Sequence, residues 1–302
     1  MLTGAVKANF LPELLTHTPG CGRSRSSGVW NAVERCVPVH SCWSQARVWE
    51  AGHGETSPAS CVPSVTTSFR SRSTGLGNRV HLADESVDLD THIADALGVL
   101  DDEDLRDAVL VGHSYAGVVV ARAADRRPER LDAVVYLDCS PLLDGMAISD
   151  LQTPDQRETQ RFAVDRAGDG WRWPVPDRAT LETGQFGSTA GLTDEHFAAI
   201  AERGTPQPYS TFTSPLRLEH EKPSGVRRSV IFCAAGGITV AAVRELIAQG
   251  DRRAAPFADP DWDLRELPTG HWAMSPAPTG SPKRSTTSPA DSVGQRSDAS
   301  HS

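Results

Sequence analysis

Residues 107–125 read Asp-Ala-Val-Leu-Val-Gly-His-Ser-Tyr-Ala-Gly-Val-Val-Val-Ala-Arg-Ala-Ala-Asp, and no other stretch constrains the fold as tightly. Ala108 to Val111 is a short apolar run of mostly branched residues. Its lack of polar alternation predicts a strand buried on both faces of a parallel sheet. Val118 to Ala124 predicts a helix packed on that sheet. Between them Gly112-His-Ser-Tyr-Ala116 has the form G-x-S-x-small, with small residues that let the backbone fold sharply beneath Ser114. Such a turn lifts a serine hydroxyl clear of the sheet, and it leaves the backbone N–H of Tyr115 and the helix N-terminus facing any developing oxyanion. As a bare pattern the pentapeptide also occurs in ordinary strand-to-helix turns. The valine-rich strand before it and the small-residue helix after it favour the nucleophile elbow.

Four segments carry a wider likeness: Thr74-Gly-Leu-Gly-Asn-Arg-Val-His-Leu82, Gly112-His-Ser-Tyr-Ala-Gly117, Val135-Tyr-Leu-Asp138 and Leu267-Pro-Thr-Gly-His-Trp272. In these the chain resembles the α/β-hydrolase superfamily, specifically bacterial esterase-like members similar to plant methylesterases and hydroxynitrile lyases. The resemblance spans residues 74–274 and stops at both ends. It implies a doubly wound, mostly parallel α/β sheet, with a helical lid inserted at about residues 144–223. It also implies cleavage of a small or medium carboxylic ester through an acyl-enzyme, with no cofactor and no metal.

Ester hydrolysis needs a nucleophile, a base, an acid that orients the base, and donors for the oxyanion. In this fold the chain order is serine, acid, histidine. Ser114 is the nucleophile, and His271 is the base because it follows a terminal strand by a glycine turn, as in the Gly-His ending of the resembled family. The plain alternative for His271 is a surface loop histidine. In the resembled family the acid usually follows the strand at residues 228–234, yet the loop here, Ala235-Gly-Gly-Ile-Thr239, has no carboxylate. Asp138, at the end of the strand after the elbow, is the favoured acid, as in some hydrolases of this fold. A Ser-His pair without an acid, and Asp251 reaching in, are the alternatives. His113 is read as packing. Trp171 and Trp173 either line an apolar substrate pocket or form lid core. Two further readings stay open: a catalytically impaired remnant or binding protein of the same fold, and a hydroxynitrile-lyase-like role resting on the lid lysine, Lys222.

A chain of 302 residues suffices for one large α/β domain with a lid. Its 38% hydrophobic content is low, and the deficit lies at the ends. Residues 1–73 hold scattered Ser, Arg, Pro, Gly, Trp and Cys and no Asp, and read as an aberrant or disordered segment of the kind an out-of-frame reading of GC-rich DNA yields. The competing reading is a divergent genuine segment. In that reading Val37-Pro-Val-His-Ser-Cys-Trp43 echoes the family's V-H-G-x-W loop, the Cys42 N–H is the second oxyanion donor, and Trp49-Glu-Ala-Gly-His53 is the helix end that follows. The strand candidates Val37-Pro-Val39 and Cys61-Val-Pro-Ser-Val65 both contain proline, which argues against a central position, so the sheet is expected to be incomplete at its start. Residues 275–302 lack Leu, Ile and Phe and read as a disordered tail.

The net charge of -9, with no basic stripe, argues against a nucleic-acid partner. Six cysteines without a C-x-x-C pair indicate neither a zinc site nor a disulfide framework. Lys7, Asn9, Pro12 and Glu13 break the apolar stretch near the start, and no run approaches the ~18 apolar residues of a membrane span. The expectation is a cytoplasmic protein whose partner is a small-molecule ester.

Overall fold

The computed structural model describes residues 46–51, 65–70, 73–220, 222–251 and 254–273. Its main sheet has six strands: β1 (Ala46–Ala51), β2 (Val65–Arg70), β3 (Ala108–His113), β4 (Leu131–Leu137), β7 (Arg227–Cys233) and β8 (Trp262–Leu267). They lie in the order β2-β1-β3-β4-β7-β8. Strands β3, β4, β7 and β8 are mutually parallel, with Val109 opposite Ala133, Tyr136 opposite Val230 and Val230 opposite Leu264. β1 is antiparallel to both β2 and β3. The parallel strands all present their carboxyl ends on one side, where open α/β sheets bind ligands.

The apolar runs explain the layering. Successive strand residues point to opposite faces. Leu110, Val134, Tyr136, Val230 and Phe232 accordingly join one apolar cluster, while Val109, Val111, Ala133, Val135, Ile231 and Cys233 join a second. Helices α1 (Leu89–Asp102), α2 (Ala116–Arg126) and α7 (Val240–Ala248) all feed the first cluster. In α1 the buried positions Ile93, Ala96, Leu97 and Leu100 follow the helical i, i+3, i+4, i+7 spacing. Its N-cap is Asp88, whose carboxylate accepts from the Thr91 N–H at 3.0 Å. Asp101 and Asp104, in the acidic run that ends α1, pair with Arg127 and Arg130.

Between β4 and β7 the lid contains α3 (Pro154–Ala167), α4 (Arg178–Glu182), α5 (Asp194–Arg203), α6 (Ser210–Thr213) and the two-residue strands β5 (Arg172–Trp173) and β6 (Gln207–Pro208). Its base is closed where the Gly145 N–H donates to the Leu216 carbonyl and the Leu216 N–H donates to the Met146 carbonyl, each at 2.8 Å. The helix α3 is the longest of the lid, at 14 residues. It has a Thr153 capping box and Pro154 in its first turn, but it buries just Gln160 and Val164, so its sequence shows no apolar face.

Residues 1–73 depart from expectation, since they contribute two strands. Of the candidate Cys61-Val-Pro-Ser-Val65, Val65 alone is in β2, and Trp49, Glu50 and Ala51, aligned above with a helix end, are strand. Val37-Pro-Val39 and Cys42 lie outside the described residues.

A buried charge network joins α2 to the end of the lid. Arg122 pairs with Asp125 and donates to Glu219 at 2.8 Å. Asp125 accepts from the N–H groups of Glu219 and His220 at 2.9 and 3.1 Å. Burial works against the charge on Asp125, but the Glu219 N–H, the His220 ring and the Arg122 guanidinium together hold its carboxyl below the ordinary range. Asp125→Ala leaves the buried Arg122 with only the exposed Glu219 carboxylate and takes the acceptor from the Glu219 and His220 N–H groups, and it should cost about 3–5 kcal/mol in denaturant unfolding. A carboxylate with a lowered folded pKa stabilises above its unfolded value of about 3.9 and loses that contribution as pH falls through the folded one. The gap between wild type and variant should therefore narrow only in melts below about pH 4.

Candidate active site

Ser114 follows β3 directly, at φ +52°. That left-handed conformation is uncommon for a residue with a side chain and costs about 1–3 kcal/mol. Its neighbours enforce it. The Ser114 N–H donates to the Leu137 carbonyl at 3.1 Å, and the Gly117 N–H donates to the Ser114 carbonyl at 2.9 Å. A Cβ on Gly112 would lie 2.5 Å from the Ala116 carbonyl oxygen, and one on Gly117 would lie 2.6 Å from Cys139 Sγ. The two glycines let α2 fold back against β3 and β4. Tyr115 is the N-cap of α2, so its backbone N–H belongs to the first, unpaired turn. Its phenol is anchored away from the reaction zone, donating to His92 Nδ1 at 2.8 Å, while His92 Nε2 donates to the Thr74 carbonyl at 2.9 Å.

Asp138 follows β4 at φ +48°, with its own N–H donating to the Ile231 carbonyl at 2.8 Å. The carboxylate is held by two donors: the Cys233 N–H at 2.8 Å and His271 Nδ1 at 2.6 Å. Burial raises the cost of its charge, but the His271 ring and the Cys233 N–H outweigh it and keep the carboxyl below the ordinary range. Asp138 is therefore ionised at neutral pH. Its bond to Nδ1 fixes the tautomer of His271 and leaves Nε2 as the basic nitrogen.

The His271 backbone is gripped as well. Its N–H donates to the Ser188 carbonyl of the lid at 2.9 Å, and its carbonyl accepts from His113 Nε2 at 2.8 Å. The lid passes so close that a Cβ on Gly187 would lie 2.3 Å from His271 Cγ, and one on Gly270 would lie 2.4 Å from the Ala190 carbonyl oxygen.

Ser114, Asp138 and His271 open into one cavity of about 430 Å³, within the usual range for small-molecule sites. Packed aromatic rings form one of its walls. Trp173 packs on Phe186 and Phe212 with ring centres 5.0 and 4.8 Å apart, and Phe212 packs on Tyr115 at 5.2 Å. Leu151 and Ile238, both more than half exposed, edge the opening. Cys139 stands next to the elbow, but burial pushes its thiol up, so it presents a thiol and not a thiolate.

Of the residues singled out from sequence, the structure brings together Ser114, Tyr115, Asp138, His271 and Trp173. Trp171 is separate: its ring stacks on Arg172 and its carbonyl accepts from the Tyr209 N–H, which makes it part of the lid framework and not of the cavity wall. Lys222 pairs with Asp259 and Asp261 at 3.0 and 2.9 Å and does not line the cavity. Asp251 sits beyond α7 with its N–H donating to the Leu246 carbonyl, also off the cavity. Sequence reading missed Gly187, Ser188, Phe186 and Phe212. Gly187 and Ser188 carry no motif, and the two phenylalanines are ordinary lid apolar residues.

A mostly parallel sheet with a helical lid, and with a serine, a carboxylate and a histidine on three loops at its carboxyl edge, defines the class of protein. The chain belongs to the alpha/beta hydrolase family, whose model matches residues 17–280 and so takes in β1 and β2. It is 29% identical over 267 residues to the carbendazim hydrolyzing esterase of Nocardioides sp. (strain SG-4G), spanning 80% of this chain and 94% of that one. It is 24% identical over 207 residues to the lipase LipV of Mycobacterium tuberculosis, spanning 63% and 72% of the two. Among solved structures, an extracellular alpha/beta-hydrolase from a Paenibacillus species matches with a TM-score of 0.50 at 16% identity, over 62% of this chain and 73% of that one. That last likeness is one of fold.

Gly187 has φ +85° and no room for a methyl group. Gly187→Ala should displace the imidazole of His271, and a misplacement of about 1 Å can cost on the order of 10²-fold in turnover. Steady-state kinetics beside a thermal melt would show kcat falling much further than stability.

Proposed function

We propose that this protein hydrolyses a small or medium carboxylic ester with an apolar body through an acyl-enzyme on Ser114. The observation that carries the reading is the 2.6 Å bond between Asp138 and His271 Nδ1 in the cavity that also holds the left-handed turn at Ser114. His271 Nε2 takes the proton of Ser114 as Oγ attacks the ester carbonyl. The tetrahedral oxyanion is met by the Tyr115 N–H at the start of α2. Nε2 then returns the proton to the departing alkoxide. In the second half a water gives its proton to Nε2 and attacks the acyl carbon, and Ser114 leaves with that proton. Asp138 remains ionised throughout and stabilises the imidazolium.

The aromatic wall favours an apolar ester, and the relative named for hydrolysing carbendazim supports a hydrolytic reaction. The lyase-like alternative loses its lysine, because both partners of Lys222 lie away from the cavity. Among the described residues no helix is long and apolar enough to cross a membrane.

Turnover of p-nitrophenyl acetate, sensitive to phenylmethylsulfonyl fluoride, tests the reading. Ser114→Ala should abolish both turnover and labelling by a fluorophosphonate while the circular dichroism stays unchanged. Labelling that persists in that variant would exclude the assignment. Asp138→Asn should lower kcat by about 10³–10⁴, because the amide holds the imidazole in the wrong tautomer. Asp251→Asn should leave kcat near wild type, and the reverse ranking would move the acid.

A further inference from the structure

His113 is the last residue of β3 and is covalently joined to Ser114. Its Nε2 lies 2.8 Å from the carbonyl oxygen of His271, a residue 158 positions away in the chain. A carbonyl only accepts, so Nε2 carries the hydrogen and is the donor. The two imidazoles lie against each other, with centres 4.7 Å apart and planes at 39°. Burial, with the neighbouring His271, pushes the His113 imidazole down to about 3, so it stays neutral and in one tautomer through the working pH range.

We propose that His113 is a positioning residue that sets the distance between nucleophile and base by holding the His271 backbone through one hydrogen bond. The inference rests on Ser114 and His271 being the reacting pair. Three elements then hold the base, each at a different atom. The lid takes its N–H through Ser188, the end of β4 takes its Nδ1 through Asp138, and the end of β3 takes its carbonyl through His113. Of these three, His113 alone adjoins the nucleophile in the chain. A shift of the elbow therefore carries the base with it, and the spacing of the two segments survives small movements of the loop after β8. The neutral ring also places no second positive charge 4.7 Å from the imidazolium that His271 becomes in each half-reaction.

Two substitutions separate this role from packing. His113→Phe keeps a ring of similar bulk and removes the donor. His113→Gln removes the ring and keeps an amide N–H near the position of Nε2. If His113 positions the base, the Phe variant should lose roughly 10- to 100-fold in kcat with KM within about 2-fold. The Gln variant should recover most of that loss, although it should melt at the lower temperature. Packing alone gives the opposite order, with Phe near wild type and Gln impaired, and that order would overturn the proposal. Should either variant fail to melt cooperatively, the wild-type protein still decides. Nitrogen-15 labelled histidine spectra between pH 5 and 9 should show His113 as a fixed neutral Nε2–H tautomer, and an Nδ1–H tautomer or a titrating ring would overturn it. Ser114→Ala runs in parallel. If that variant still turns over esters, the acyl-enzyme reading itself falls; if it is dead while His113→Phe matches wild type, the positioning role alone falls.

Discussion

Ser114 occupies φ +52° while keeping a side chain, and the surrounding backbone leaves it no relaxed alternative. Leu137 fixes the N–H, the first turn of α2 fixes the carbonyl, and Gly112 and Gly117 remove the two Cβ atoms that would hold the helix off the strands. The strain of about 1–3 kcal/mol is borne by the packing of β3 and β4. Those strands are buried along nearly their whole length. The candidate site is referred to that fixed point: Asp138 ends the next strand, and His271 bonds to Asp138 directly and to the elbow through His113.

Local pattern was a good guide where burial is nearly continuous. The strand Ala108–His113 and the helix Ala116–Arg126 were readable from the apolar runs Ala108 to Val111 and Val118 to Ala124. The elbow was legible because three constraints coincide within six residues: a buried strand, small flanking residues and a helix start. Asp138 was legible only as a position at a strand end, since nothing in its neighbours names His271 as its partner across 133 residues. Segments with little apolar signal were harder. Ala46–Ala51 mixes Arg47 and Glu50 with Val48 and Trp49, and its pairing with β3 is a long-range event that no local preference specifies. The helix α3 is announced by its cap and not by its faces.

The lid shows the same division. Trp173 is the last residue of β5, whereas Trp171 stands just before the strand, so strand alternation does not hold the two on one face. Trp173 packs on Phe186 and Phe212 at the cavity, and Trp171 stacks with Arg172 in the framework. Composition alone cannot say which tryptophan is which, because the answer depends on where a two-residue ladder with Gln207 and Pro208 begins.

The bond from the His271 N–H to Ser188 gives the lid a double life. A lid is ordinarily the part of such a fold that can be redrawn to suit new ligands, since its walls touch substrate and its removal leaves the chemistry in place. Here Gly187 lines the cavity and the adjoining Ser188 holds the His271 backbone, so one short stretch is at once wall and clamp. Grafting a foreign lid onto this scaffold would therefore import another protein's grip on His271 together with its ligand preference, and chimeras would sort by how the graft meets the loop after β8 before they sort by the shape of the chamber they enclose.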